Sequence, residues 1–134
     1  MKITRYDPAA NLIIVSARLW GPTGKVKLQL ALDTAASLTV IVPEVIDGLG
    51  YSPRDGEQIT TISSAIGKEP GYTTRVSRFW TLGFSVNDFR VHVHDLGDNV
   101  GIDGLIGLNF LREFNVELRP GEGRLRVDRI AASP

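Results

Sequence analysis

The chain has 134 residues, 43% apolar and 22% charged, with 15 acidic side chains balancing 15 basic ones at a formal net charge of zero. That length suits one domain with a buried core, and the neutral balance gives no electrostatic reason to expect a nucleic acid or an anionic membrane as partner. Cysteine is absent, which excludes a disulfide framework and thiolate chemistry, and no apolar run approaches the ~20 residues of a membrane-spanning helix.

Fourteen glycines and seven prolines punctuate short, β-branched segments, the pattern of an all-β domain with many short strands. The first strand is expected over 11–20, ahead of a turn at Gly21-Pro22-Thr23-Gly24. Residues 25–33 then alternate strictly, with Val26, Leu28, Leu30 and Leu32 on one face and Lys27, Gln29, Ala31 and Asp33 on the other. Asp33 therefore ends a strand while pointing away from its leucine face. A second apolar strand is expected over 38–42, and Pro43 opens a short helix that Gly48 or Gly50 closes. Residues 57–72 read as two strand arms around a small-residue tip, Ser63-Ser64-Ala65-Ile66-Gly67. Two more strands, 73–82 and 84–94, join through Gly83, and residues 108–114 form the other helix. The chain finishes as a strand pair, 116–118 and 125–127, around a turn at 119–123. No repeat or linker interrupts this order, so residues 1–134 are read as a single domain.

Two segments carry chemistry. Ala31-Leu32-Asp33-Thr34-Ala35-Ala36-Ser37 resembles the active-site loop of aspartic proteases, whose usual form is apolar-Asp-Thr/Ser-Gly-Ala/Ser. About seventy positions on, Gly101-Ile102-Asp103-Gly104-Leu105-Ile106-Gly107-Leu108-Asn109-Phe110-Leu111 resembles the hydrophobic-hydrophobic-Gly element before the single helix of retropepsin-like proteases. Loop, short helix, flap hairpin, apolar strands, Leu-Ile-Gly, helix and terminal strands follow the family order over residues 25–127. The resemblance implies an all-β, closed barrel-like acid-protease half-domain with one short C-terminal helix, dimerising through its terminal strands. It also implies site roles. Asp33 is then the catalytic carboxyl, and Thr34 bonds across the dimer axis. Ala35 takes the position whose backbone approaches the carboxylates and substrate, and Ser37 orients the loop through its hydroxyl. Ser64, Ala65, Ile66 and Gly67 fall near the tip of a flap that closes over a bound peptide. The family pattern has Gly where this chain has Ala35, and a methyl group there bears on the dihedrals of the loop. That departure motivates an alternative, a catalytically silent peptide-binding or dimerisation module on the same fold.

Peptide hydrolysis without a metal or covalent nucleophile needs a general base for water and a proton donor for the carbonyl and the leaving amine. Two adjacent carboxyls sharing one proton supply both, as aspartic proteases illustrate. One Asp per chain stands in the required context. The expected function is therefore a homodimeric aspartic endopeptidase acting on a peptide or protein substrate, with no cofactor. Asp103-Gly104 reads as a turn pair and not as a second catalytic carboxyl. His92 and His94 share a strand face with Asp95 and Asp98 nearby, but three or four convergent ligands are needed, so no metal is expected. A solvent-facing strand with Val91 and Val93 on its buried side accounts for the pair. Arginines 112, 119, 124, 126 and 129 interleave with Glu113, Glu117, Glu122 and Asp128 as a mixed, solvated surface. Trp20 and Trp80 are expected in the core or in substrate subsites. With neither a leader pattern nor an apolar span in the sequence, the expected setting is the cytoplasm.

Overall fold

The computed structural model describes residues 1–56, 58–64, 67–97 and 101–130, with side chains throughout except over 58–64 and 67–70. Its strands are β1 (Lys2–Arg5), β2 (Ile14–Gly21), β3 (Gly24–Leu32), β4 (Val40–Ile41), β5 (Gln58–Ser64), β6 (Gly67–Thr81), β7 (Phe84–Val93), β8 (Gly104–Ile106), β9 (Phe114–Arg119) and β10 (Arg124–Arg129). Two short helices join them, α1 (Pro43–Gly48) and α2 (Leu108–Leu111).

The strands run in the order β2-β3-β8-β4-β7-β6, and a β2–β6 pairing closes these six into a barrel. Closure gives each of the six a paired neighbour on both sides. Inside, Val15, Ala17 and Leu19 of β2 meet Leu28 and Leu30 of β3, all at most 2% exposed. The alternation of sequence is thus the alternation of burial as far as Leu30; it ends at Ala31, expected on the polar face but only 2% exposed where β3 pairs with β8. Phe79 stacks on Phe89 at 4.9 Å between ring centroids, and Phe110 of α2 meets Phe79 edge-on at 5.5 Å. Phe110 is fully buried, so its side chain anchors the short helix in the barrel with about 1.5–3 kcal/mol of burial.

Two connections converge on β8. It runs parallel to β3, with Leu32 opposite Ile106, and antiparallel to β4, with Val40 opposite Leu105. The strand entering the Asp33 loop and the strand leaving it therefore both pair with Gly104 and Leu105. Gly104 allows this, because a methyl group there would strike the Val40 carbonyl. A second sheet has the order β1-β10-β9 and buries Leu125 and Val127.

Several expected boundaries shift, each for a tertiary reason. The helix expected over 108–114 stops at Leu111, because Phe114 already pairs with Arg129 as the start of β9. The strand over 38–42 contracts to two residues, limited by the short β8 between β3 and β4. The first strand starts at Ile14 and not at residue 11, and β1 has no clear signal in the sequence because its partner is β10. His94 was expected on a solvent-facing strand, yet it lies just beyond β7 and is 8% exposed. Its backbone N–H donates to the Ile41 carbonyl, as that of His92 donates to the Thr39 carbonyl, so the pairing with β4 continues past the end of β7. Among the described residues, no helix is long and apolar enough to cross a membrane.

Candidate active site

Asp33 is the first residue past β3. Its backbone N–H donates to the Ile106 carbonyl at 3.0 Å, which fixes the loop entrance against β8. The carboxylate is held by its own loop: Oδ1 accepts the Ala35 N–H at 2.9 Å, an Asx turn, while the Asp33 carbonyl accepts the Ala36 N–H. The side chain is half-buried, with Thr34 and Ala35 exposed beside it. Ala35 is not among the non-glycine residues at positive φ, which are Leu82 and Asp88, so its methyl carries no left-handed strain.

The far side of the loop is clamped by the segment after β8. The Leu108 N–H donates to the Ala36 carbonyl at 2.8 Å, and the Asn109 N–H donates to the Ser37 carbonyl at 3.2 Å. Asn109 Oδ1 accepts both the N–H and the hydroxyl of Thr39, while Nδ2 donates to the Arg90 carbonyl. The Thr39 hydroxyl in turn accepts the Gly107 N–H at 3.1 Å. Thr39 is fully buried, and every one of these polar groups has a partner. Gly107 is required by contact: a Cβ there would lie 2.5 Å from the Leu38 carbonyl carbon. Leu-Ile-Gly is therefore a strand that pairs with β3, followed by a glycine over which the loop passes.

Thr39 and Asn109 were not anticipated from sequence. The available signal was a lone Thr inside an apolar run and an Asn directly after Leu-Ile-Gly-Leu, 70 positions apart. Ser37 contributes its carbonyl, and its hydroxyl makes no hydrogen bond among the described residues of the single chain. Thr34 lines a cleft of about 280 Å³ with Leu32, Leu108, Leu111, Phe114 and Leu118. An apolar wall thus adjoins the carboxylate loop.

The segment expected as a flap is a β5–β6 hairpin by its backbone pairing. Ser64 and Gly67 are register partners at the end of the β5–β6 hairpin, and Ala65 and Ile66 lie outside the described residues. The β6–β7 pairing begins at Tyr72, so residues 58–64 and 67–71 form a two-stranded arm continuing beyond the barrel wall. Gly71 sits at its base, where a Cβ would come within 2.8 Å of the Val93 carbonyl oxygen and 2.9 Å of His92 Nε2.

Asp103 is not near-equivalent to Asp33. Its Oδ2 accepts the Gln29 N–H at 2.9 Å, its N–H donates to the Gln29 carbonyl, and its carbonyl accepts the Val42 N–H. These bonds tie β3 to the residue after β4. The imidazoles of His92 and His94 stand 6.0 Å apart, and burial followed by the His94 neighbour lowers the His92 pKa. No group of three or more potential metal ligands converges among the described residues. Trp20 and Trp80 occupy neither the core nor the Asp33 loop; both lie half-buried on the outer face of β2 and β6.

Comparison with known proteins agrees with this geometry. The family model described as aspartyl protease matches residues 15–110. No curated protein gives a significant sequence match. A retropepsin-like aspartic protease from Rickettsia conorii superposes with a TM-score of 0.70 at 18% identity, over 93% of this chain and 87% of that one. The EIAV protease, in complex with the inhibitor HBY-793, superposes with a TM-score of 0.59 at 20% identity, over 81% of this chain and 92% of that one. Matching family sequence, a barrel crossed by Leu-Ile-Gly and an Asp-Thr loop clamped beneath it agree on one assignment: the chain belongs to the aspartyl protease family and has the retropepsin-like fold.

Proposed function

We propose that the chain is a homodimeric aspartic endopeptidase in which the Asp33 carboxyls of two copies form one catalytic pair. The observation that carries this reading is the unequal fate of two acidic residues. Asp33 stands half-buried in a loop braced on both sides, whereas Asp103 is committed to backbone hydrogen bonds between strands. One chain thus offers half of the machinery, and an isologous contact supplies the other half.

In the pair, one carboxyl is ionised and the other protonated, since adjacent like charges resist joint ionisation. The ionised partner takes a proton from water as its oxygen attacks the peptide carbonyl carbon. The protonated partner gives its hydrogen to the carbonyl oxygen. Collapse of the tetrahedral intermediate then breaks the C–N bond as a proton passes to the leaving amine. Thr34 is exposed next to Asp33, in position to reach a partner loop, and the apolar cleft beside it gives a second copy surface to cover. The arm of β5 and β6 serves as the flap over an extended substrate bound like an added strand. Ala35 lies outside the left-handed region, so its methyl brings no left-handed strain to the loop, which is compatible with this reading.

Asp33→Asn tests the assignment in a cleavage assay on an unstructured polypeptide across pH. Cleavage is expected to vanish while circular dichroism and self-association stay unchanged. Persistent, stoichiometric cleavage by the purified variant would refute it.

A further inference from the structure

The outer wall of the barrel carries a second feature that the Asp33 chemistry does not use. Cross-strand register aligns Lys27, Arg18 and Trp80 in one row over β3, β2 and β6, and Lys25, Trp20 and Arg78 in the next. The Arg78 guanidinium lies 4.5 Å from the Trp20 ring centroid, and that of Arg18 lies 5.3 Å from Trp80. All four cations are exposed. Among the described residues, no carboxylate stands within ion-pair distance of any of them. Glu44 lines a cleft with Lys25 but belongs to α1, not to this face. A chain of zero net charge has therefore gathered four positive charges on one sheet face, with no compensating carboxylate beside them among the described residues. Like charges directly opposite on neighbouring strands, as at Arg18 and Lys27, disfavour pairing unless something of opposite sign covers them.

We propose that this face binds an acidic, extended segment of another polypeptide. Charge complementarity selects an anion, and three observations select a polypeptide. Lys25 and Lys27 are two residues apart on one strand, about 7 Å, which is also the repeat of alternate side chains in an extended chain. Each stacked guanidinium keeps N–H donors at its rim for a carboxylate, although Arg78 spends part of its fork on the Ser85 hydroxyl. Both indoles are half-buried with a guanidinium over the ring, which denies a nucleic acid the open aromatic platform that base stacking uses. The proposal goes beyond the peptidase reading and needs no catalysis, so the two stand or fall separately.

Trp20 and Trp80 are the two tryptophans of the chain, so intrinsic fluorescence reports directly on this face. The full chain is titrated with an oligo-glutamate of about ten residues, enough to span both rows in extended form. The expected result is a saturable fluorescence change that an oligo-lysine does not produce. It should weaken at least about tenfold when salt is raised from about 0.05 to 0.5 M, where screening shortens below the spacing of the charges. Lys25→Glu/Lys27→Glu should abolish it, and Lys25→Gln/Lys27→Gln should reduce it, with circular dichroism unchanged in both. Absence of a signal, or affinity unaltered in a folded lysine variant, would overturn the proposal. Tighter binding of a mixed-sequence single-stranded oligonucleotide than of oligo-glutamate would overturn it too, and would give the face to nucleic acid.

Discussion

The carboxamide oxygen of Asn109 accepts two hydrogen bonds from Thr39, from its N–H at 2.8 Å and its hydroxyl at 2.9 Å. This contact bridges the strand after the Asp33 loop and the helix after Leu-Ile-Gly, so loop position depends on a buried polar pair. Asn109→Ala removes the acceptor of the Thr39 N–H and hydroxyl and the donor to the Arg90 carbonyl, and is expected to cost about 2–3 kcal/mol in urea denaturation. Thr39→Val, which orphans the Gly107 N–H, should lose about 1–3 kcal/mol, and Thr39→Ser much less. In both damaging variants kcat should fall more than KM rises if Asp33 is catalytic, because the Asp33 loop is displaced while the cleft persists. Stability at the level of the unaltered chain would show that the pair does not hold the loop.

Gly107→Ala places a methyl 2.5 Å from the Leu38 carbonyl carbon and 2.6 Å from its oxygen. Backbone on both sides must move. The expected loss is about 1–3 kcal/mol of stability, the usual range for overpacking, together with a large fall in cleavage. An active, equally stable Gly107→Ala chain would contradict the packing described for the loop.

Asp103→Asn retains an oxygen that can accept from the Gln29 N–H, so its cost should stay near 1 kcal/mol and cleavage should survive. Asp103→Ala should destabilise by about 1–3 kcal/mol without altering the pH profile of the remaining activity. Complete loss of cleavage in the folded Asn variant would move Asp103 into the catalytic machinery.

His92 gives a signed pH dependence. Burial, and then the neighbouring His94, lower its pKa from the ordinary 6.5, so the folded chain binds this proton less readily than the unfolded chain. Its contribution is complete above 6.5 and is lost as pH falls from there towards the lower folded value. Unfolding midpoints at about pH 7 and about pH 5 should therefore converge more closely in His92→Gln than in the unaltered chain. An identical acid-side decline in the two proteins would remove His92 as a cause.

Local pattern made much of this legible. The run from Lys25 to Asp33 alternates cleanly enough to put the carboxyl at a strand end, away from the leucines, and Gly71 and Ser64 fall in the hairpin read from residues 57–72. What stayed hidden depends on partners distant in sequence. Thr39 finds Asn109 only once β8 has inserted between β3 and β4. β1 is a strand because β10 offers an edge, and His94 is buried although it lies past the end of β7. Trp20 and Trp80 look like core residues by type, but strand phase turns them outward, and only the β2–β6 pairing brings arginines over them.

Mixing two forms of the chain decides whether one site needs two Asp33 carboxyls. The unaltered chain and Asp33→Asn are combined at constant total concentration, allowed to exchange subunits, and assayed for cleavage as the fraction of variant increases. If each site needs an Asp33 from both partners, activity follows the square of the unaltered fraction, about one quarter at an equal mixture. A linear decline, with about one half remaining at that point, would mean that one carboxyl suffices and would contradict the shared pair.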